Sequence, residues 1–217
     1  MASAFNDYEF SRRGAKFFMD TTLQDHLREI RKEFFAFRNG IIADKLRKAG
    51  DPHGIIMGCL LVDIQSIAQR AKDSIGNDEQ LAAIACELWS DTNSRECRLA
   101  APMLYPTELM PLELAQQWCH TVETIEVADT LCNKLLRHLD GSDALFRHLI
   151  ADENHLIKYT GYRLLLNLLL LGKVQPTPQL KAAIEAQAST TQPPLNSLLK
   201  NILEEYMLLP LYKFVSE

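Results

Sequence analysis

Glu87-Leu88-Trp89-Ser90-Asp91-Thr92-Asn93-Ser94-Arg95-Glu96-Cys97-Arg98-Leu99-Ala100-Ala101 decides how this chain is read. An amphipathic helix ends at Leu88-Trp89. The polar run that follows is rich in Ser, Asp, Thr and Asn, whose side chains accept from the free N–H groups that open a helix. A second helix then begins at Arg95-Glu96 and carries small alanines on the face it turns to a neighbour. Two helices joined by a short polar turn form the unit of a helical repeat.

Outward from this stretch the hydrophobic period stays helical, with no convincing strand alternation. Thr22–Phe37 places Leu23, Leu27, Ile30, Phe34 and Phe37 on one stripe and stops at Asn39-Gly40. Further helices are expected over Ile41–Lys48, Ile55–Lys72, Asn77–Trp89 and Ser94–Leu104, the last ended by Tyr105-Pro106. Pro111 stands at the first position of a helix to Thr121, where its missing N–H costs nothing. Glu123–Leu139, Ser142–Ile150, His155–Leu171, Pro178–Ala188 and Leu195–Met207 complete about eleven helices with short connections. Helix–turn–helix pairs recurring along the chain predict an all-α, HEAT-like α-solenoid (an α–α superhelix) with a concave groove, as one repeat domain over 1–217. An irregular helical bundle is the alternative.

The 217 residues carry 47% hydrophobic and 24% charged side chains, the balance of a folded chain rather than a disordered one. Net charge is −5, which argues against a general nucleic-acid binder. The charge is uneven, however. Residues 1–50 hold ten Lys/Arg against seven Asp/Glu, so a basic face on an acidic protein is compatible with the total. Five scattered cysteines, Cys59, Cys86, Cys97, Cys119 and Cys132, form no paired framework and fit reduced, packed thiols in a cytoplasmic protein. Leu164–Leu171, the strongest apolar run, is too short for a bilayer.

Leu88-Trp89, Arg95-Glu96 and Ala100-Ala101 resemble the central repeat of the bacterial DNA alkylation repair enzymes. That family comprises HEAT-like repeat glycosylases that remove alkylated purines such as 3-methyladenine and 7-methylguanine. His53–Gly58 with Ile64–Ala68 resembles the family's entry to its second repeat, and Leu23–Lys48 its first helical pair. Thr124–Asp129 stands where the family carries an aromatic four residues before an aspartate. The similarity is collinear over roughly residues 20–205.

The resemblance implies double-stranded, alkylated DNA as partner, with no cofactor and no metal. It makes Asp129 the candidate catalytic carboxylate, stabilising a cationic sugar and helping to position water. On a helical wheel Asp129 falls at the edge of the apolar face beside Ile125 and Leu136, where partial desolvation strengthens its pull on positive charge. Three family features differ. Ile125 replaces the aromatic, Lys158, Tyr159 and Arg163 all compete for the downstream arginine, and a later tryptophan is missing, since Trp89 and Trp118 are the chain's only two.

Arg95, Arg98, Lys134, Arg137, Lys158, Tyr159 and Arg163 are the candidate DNA-binding residues, recurring near the second helix of successive pairs. His155, Tyr159 and Tyr162 share a stripe that faces either a nucleic acid or the edge of the core. No His-Glu-x-x-His, Cys-x-x-Cys, phosphate loop or nucleophile elbow occurs. The competing function is a non-catalytic scaffold binding protein or structured DNA, which the acidic balance favours. Phe5, Tyr8, Phe10, Phe17 and Phe18 with Arg12, Arg13 and Lys16 read either as an amphipathic helix on the first repeat or as a basic arm.

Overall fold

Amphipathic segments joined by short polar turns pack as helical hairpins, because each has one apolar face to bury and little chain to travel on. The computed structural model describes residues 22–212 and holds, among them, eleven α-helices and no β-strand. These are α1 (22–36), α2 (Gly40–Lys48), α3 (Leu61–Ile75), α4 (Asp78–Ser90), α5 (Arg95–Leu104) and α6 (Leu112–His120). They continue as α7 (Ile125–Lys134), α8 (Ser142–Ile150), α9 (His155–Leu170), α10 (Pro178–Thr190) and α11 (Leu195–Tyr212). The all-α, solenoid-like reading is the observed fold class. The two alternatives raised for Phe5–Phe18 lie outside the described residues. Among the described residues no helix is long and apolar enough to cross a membrane. The chain divides into two compact units, Met1–Leu109 and Met110–Glu217.

In the first unit α5 packs on α3 and α4, and every one of its residues is buried. This corrects two sequence-based assignments. Arg95 and Arg98 do not present guanidinium groups for phosphate contact; they are 4% and 0% exposed. Arg98 lies over the Trp89 ring, 3.7 Å from its centroid, and donates to the Trp89 carbonyl oxygen. Arg95 donates to the Glu96 carboxylate at 2.9 Å and to the Cys59 carbonyl at 3.2 Å. A guanidinium is weakly hydrated and planar, so stacking and hydrogen bonding let it lie in a protein interior where an ammonium would not.

The same segment shortens α3, two helices upstream. α3 begins at Leu61 rather than Ile55, because the backbone of residues 54–59 has partners elsewhere. The fully buried Glu96 carboxylate accepts from the N–H groups of Met57, Gly58 and Cys59 at 3.1, 3.0 and 3.3 Å. Ile55 donates to the Asn93 carbonyl at 2.8 Å and accepts from Arg95 N–H at 3.1 Å, an isolated bridge between the two segments. Gly58 makes the loop fit: its φ is +78°, and a Cβ there would stand 2.3 Å from the Asn39 carbonyl oxygen. The opening motif is thus a staple holding one loop to one helix.

In the second unit α9 packs on α7, α8 and α11. The helix expected over Glu123–Leu139 breaks at Leu135 and continues as a 3₁₀ turn, Leu136–His138. Gly161 is where α8 crosses α9. A Cβ on it would meet Ile150 N and Leu149 Cβ at 2.8 Å, so only hydrogen lets the helices approach this closely. The Cys132 thiol donates to the Thr160 carbonyl at 3.4 Å and ties α7 to α9 at the same level.

Candidate functional site

α7 starts on Thr124, whose hydroxyl accepts from Val127 N–H at 3.2 Å. With the register so fixed, Val127, Ala128, Thr130, Leu131 and Cys132 go to the core. Asp129 is left at the boundary, its side chain 34% exposed. α9 starts on Asn154, whose side-chain oxygen accepts from Leu156 and Ile157 N–H. Tyr159 and Arg163 stand one turn apart on it, and side chains four residues apart share a helix face.

Both reach the same carboxylate oxygen. Tyr159 donates its hydroxyl to Asp129 Oδ1 at 3.0 Å, and Arg163 Nε lies 3.3 Å from that atom. The second contact is an ion pair, since Nε has no hydrogen-bond partner and is sealed from solvent. Burial pushes the Asp129 carboxyl above its ordinary range, and Glu126 adds to this; Arg163 and the Tyr159 hydroxyl pull the other way without cancelling it. Burial, together with the facing carboxylate, pushes Tyr159 up so that it stays a neutral donor. Of the three competing positions, Tyr159 and Arg163 contact Asp129, while Lys158 is half-buried.

Beside this trio lies a recess of about 470 Å³. Ile125, His155, Leu156 and Tyr159 form one wall, and residues 190–195 at the α10–α11 junction form the other. Tyr159 belongs to both features: its hydroxyl donates to Asp129, and it lines the recess. Tyr159 and Tyr162 are 7% and 5% exposed, so on the tyrosine stripe only His155 is broadly open to solvent. Trp118 is buried within its unit, as is Trp89 in the other.

Of the remaining candidates, Lys134 is half-buried near the end of α7. Arg137 lies just beyond, in the 3₁₀ turn, and donates from Nε to His138 Nε2 at 3.1 Å. Lys173 donates from Nζ to the Arg137 carbonyl at 2.9 Å. Burial and these two cations push the His138 imidazole below its ordinary value. Sequence reasoning misses Lys173 and His138. The available signal is positional: Lys173 follows Gly172 at the end of α9, and basic side chains gather at helix C-termini because the last carbonyls are unpaired and negative. Among the described residues no three His, Cys, Asp or Glu side chains stand close enough to hold a metal ion. The five cysteines are free thiols.

A desolvated carboxylate held by a tyrosine and an arginine, with an apolar recess at its side and cations at the far end of the same helix pair, suits a substrate that is both anionic and transiently cationic. The family model described as DNA alkylation repair enzyme matches residues 30–188, which include all of these side chains up to α10. No match is found among curated proteins or among solved structures.

Proposed function

The chain belongs to the DNA alkylation repair enzyme family, and we propose that it binds duplex DNA along α7 and α9 and removes alkylated purines by hydrolysing their N-glycosidic bond. The observation that carries this reading is the convergence of Tyr159 and Arg163 on Asp129. Alkylation at a ring nitrogen makes the purine cationic. As the bond from C1′ to the base breaks, its electron pair goes to the base, which leaves neutral, and the positive charge passes to the sugar. Asp129 faces that charge, and a preorganised carboxylate in a partly dry site stabilises it more than water does. Water then adds to C1′ and loses a proton, for which the carboxylate is the acceptor. Tyr159 and Arg163 are positioning residues: they fix Oδ1 and leave Oδ2 as the oxygen for substrate.

The groove expected from the resemblance is assigned to this α7–α9 face, with Arg137 and Lys173 toward its end contacting phosphates. A cytoplasmic location accords with the free thiols. The direct test is release of 3-methyladenine and 7-methylguanine from methylated duplex DNA. Binding without release would leave a non-catalytic DNA-binding scaffold.

Tyr159→Phe removes a hydrogen bond that favours the charged carboxylate, so the Asp129 pKa rises further. The acid limb of the excision rate then moves to higher pH; an unmoved limb contradicts the positioning role. Arg137→Gln combined with Lys173→Gln removes two proposed phosphate contacts. A fluorescence-anisotropy titration across salt concentrations should show the slope of log affinity against log salt flattened by about two, one for each cation. An unchanged slope would confine both residues to capping α7 and α9.

A further inference from the structure

In the first unit a cleft of about 530 Å³ runs along one stripe of α1, formed by Gln24, Arg28, Arg31, Lys32 and Phe35, with Met57 of the loop before α3 as its other wall. Spacings of three and four residues put these α1 side chains on one helix face. Among the described residues no carboxylate lines the cleft. Phe35 is 57% exposed, and the Arg38 guanidinium stacks on its ring, 4.1 Å from the centroid. Arg31 is engaged by Asp91 at 3.2 Å. Arg28 and Lys32 instead pair with Asp25 and Glu29 on their own helix, in ion pairs open to solvent. Such pairs contribute little, because water and salt screen them, so both cations can change partner at small cost. Uncovered apolar area beside two exchangeable cations suits a ligand that alternates aromatic rings with carboxylates.

The chain itself carries such a ligand. Phe5-Asn6-Asp7-Tyr8-Glu9-Phe10 places three aromatics and two carboxylates within six residues, and no Lys or Arg precedes Arg12. The described chain starts at residue 22, on the helix that forms the cleft. Residues 11–21 can span about 40 Å when extended, whereas α1 is about 22 Å long at its helical rise. The run can therefore reach any point of the stripe. Tethered to the cleft, it is present at an effective concentration in the millimolar range, so a contact too weak to hold a free peptide is populated within the chain.

We propose that residues 5–10 dock in this cleft of their own chain, their rings against Phe35 and Met57 and the Asp7 and Glu9 carboxylates on Arg28 and Lys32. The contact uses no residue of α7 or α9 and stands independently of the DNA reading.

The test follows chymotrypsin, which cuts after Phe and Tyr, on the folded full chain, with cleavage at Phe5, Tyr8 and Phe10 scored by intact mass. Wild type is cut several-fold more slowly than a free peptide of residues 1–21, and the rate does not depend on protein concentration. Arg28→Glu with Lys32→Glu leaves the cleaved sequence untouched and speeds cleavage several-fold. Adding Asp7→Lys and Glu9→Lys to the same chain reverses both partners and restores the protection, the signature of direct coupling. Arg28 and Lys32 are exposed, so the variants fold, as melting followed by circular dichroism verifies. Cleavage of wild type as fast as the free peptide overturns the proposal, as does a rate unmoved by Arg28→Glu with Lys32→Glu or a reversed chain that stays unprotected. Protection that grows with protein concentration assigns the cleft to a second copy and overturns it too. So does weaker duplex binding by the Arg28→Glu, Lys32→Glu chain with cleavage unchanged, which would make the cleft a nucleic-acid contact.

Discussion

Asp129→Asn cuts release of 3-methyladenine and 7-methylguanine from methylated DNA by about 10²-fold or more, the usual cost of removing one preorganised electrostatic group from an active site. The substitution keeps the shape and the hydrogen bond from Tyr159 while removing the charge that faces the sugar. Duplex affinity measured on undamaged DNA stays within a few-fold, since the loss falls on the transition state rather than on the ground state. Stability does not account for the loss. Burial raises the Asp129 pKa, so the carboxyl favours the fold in its protonated form and that contribution disappears as the pH climbs through the raised pKa. At neutral pH the neutral amide therefore melts close to the wild type. Release unchanged in Asp129→Asn, with wild type active, would remove this residue from the mechanism and leave the recess and cations to another carboxylate.

Glu96→Ala has the largest expected effect on stability. The carboxylate is fully buried and accepts from three consecutive backbone N–H groups, those of Met57, Gly58 and Cys59, besides the Arg95 guanidinium. Alanine leaves those donors without this acceptor and strips a buried cation of its counter-charge. Removing one partner of a buried ion pair costs about 3–5 kcal/mol. For a chain of this size each kcal/mol moves the melting temperature by roughly 2–4 °C, so a fall of about 10 °C is expected by calorimetry, with proteolytic cleavage appearing first in residues 53–60. Glu96→Gln, which keeps an acceptor oxygen, should recover part of the loss. A melting temperature within a degree or two of wild type would mean that water or a shifted loop satisfies the same groups.

How much the sequence discloses differs between helices for a single reason, the number of faces a helix buries. Where a helix has one apolar face, periodicity is a faithful guide. α4 and α8 appear close to where their stripes place them, and although α7 ends at Lys134 instead of Leu139, Asp129 falls on the boundary its helical wheel predicts. Where a helix is enclosed, the pattern misleads. α5 buries its charged residues along with its apolar ones, so Arg95 and Arg98 read as surface cations when taken one helix at a time. Arg98 meets the Trp89 ring nine residues back, and Arg95 the Cys59 carbonyl 36 residues upstream.

What the sequence by itself determined is the class of the fold, the order of its helices and the family to which 30–188 belongs. These are properties of local hydrogen bonding and of a period of 3.6 residues, both written along the chain. Only the tertiary structure decided which of Lys158, Tyr159 and Arg163 meets Asp129, that Lys173 joins Arg137, that Ile125 borders a cavity, and that the Leu-Trp…Arg-Glu turn is a staple. Each of these depends on how far one helix is shifted along another. That shift is set by close contacts such as the α8 crossing at Gly161, which no single helix encodes.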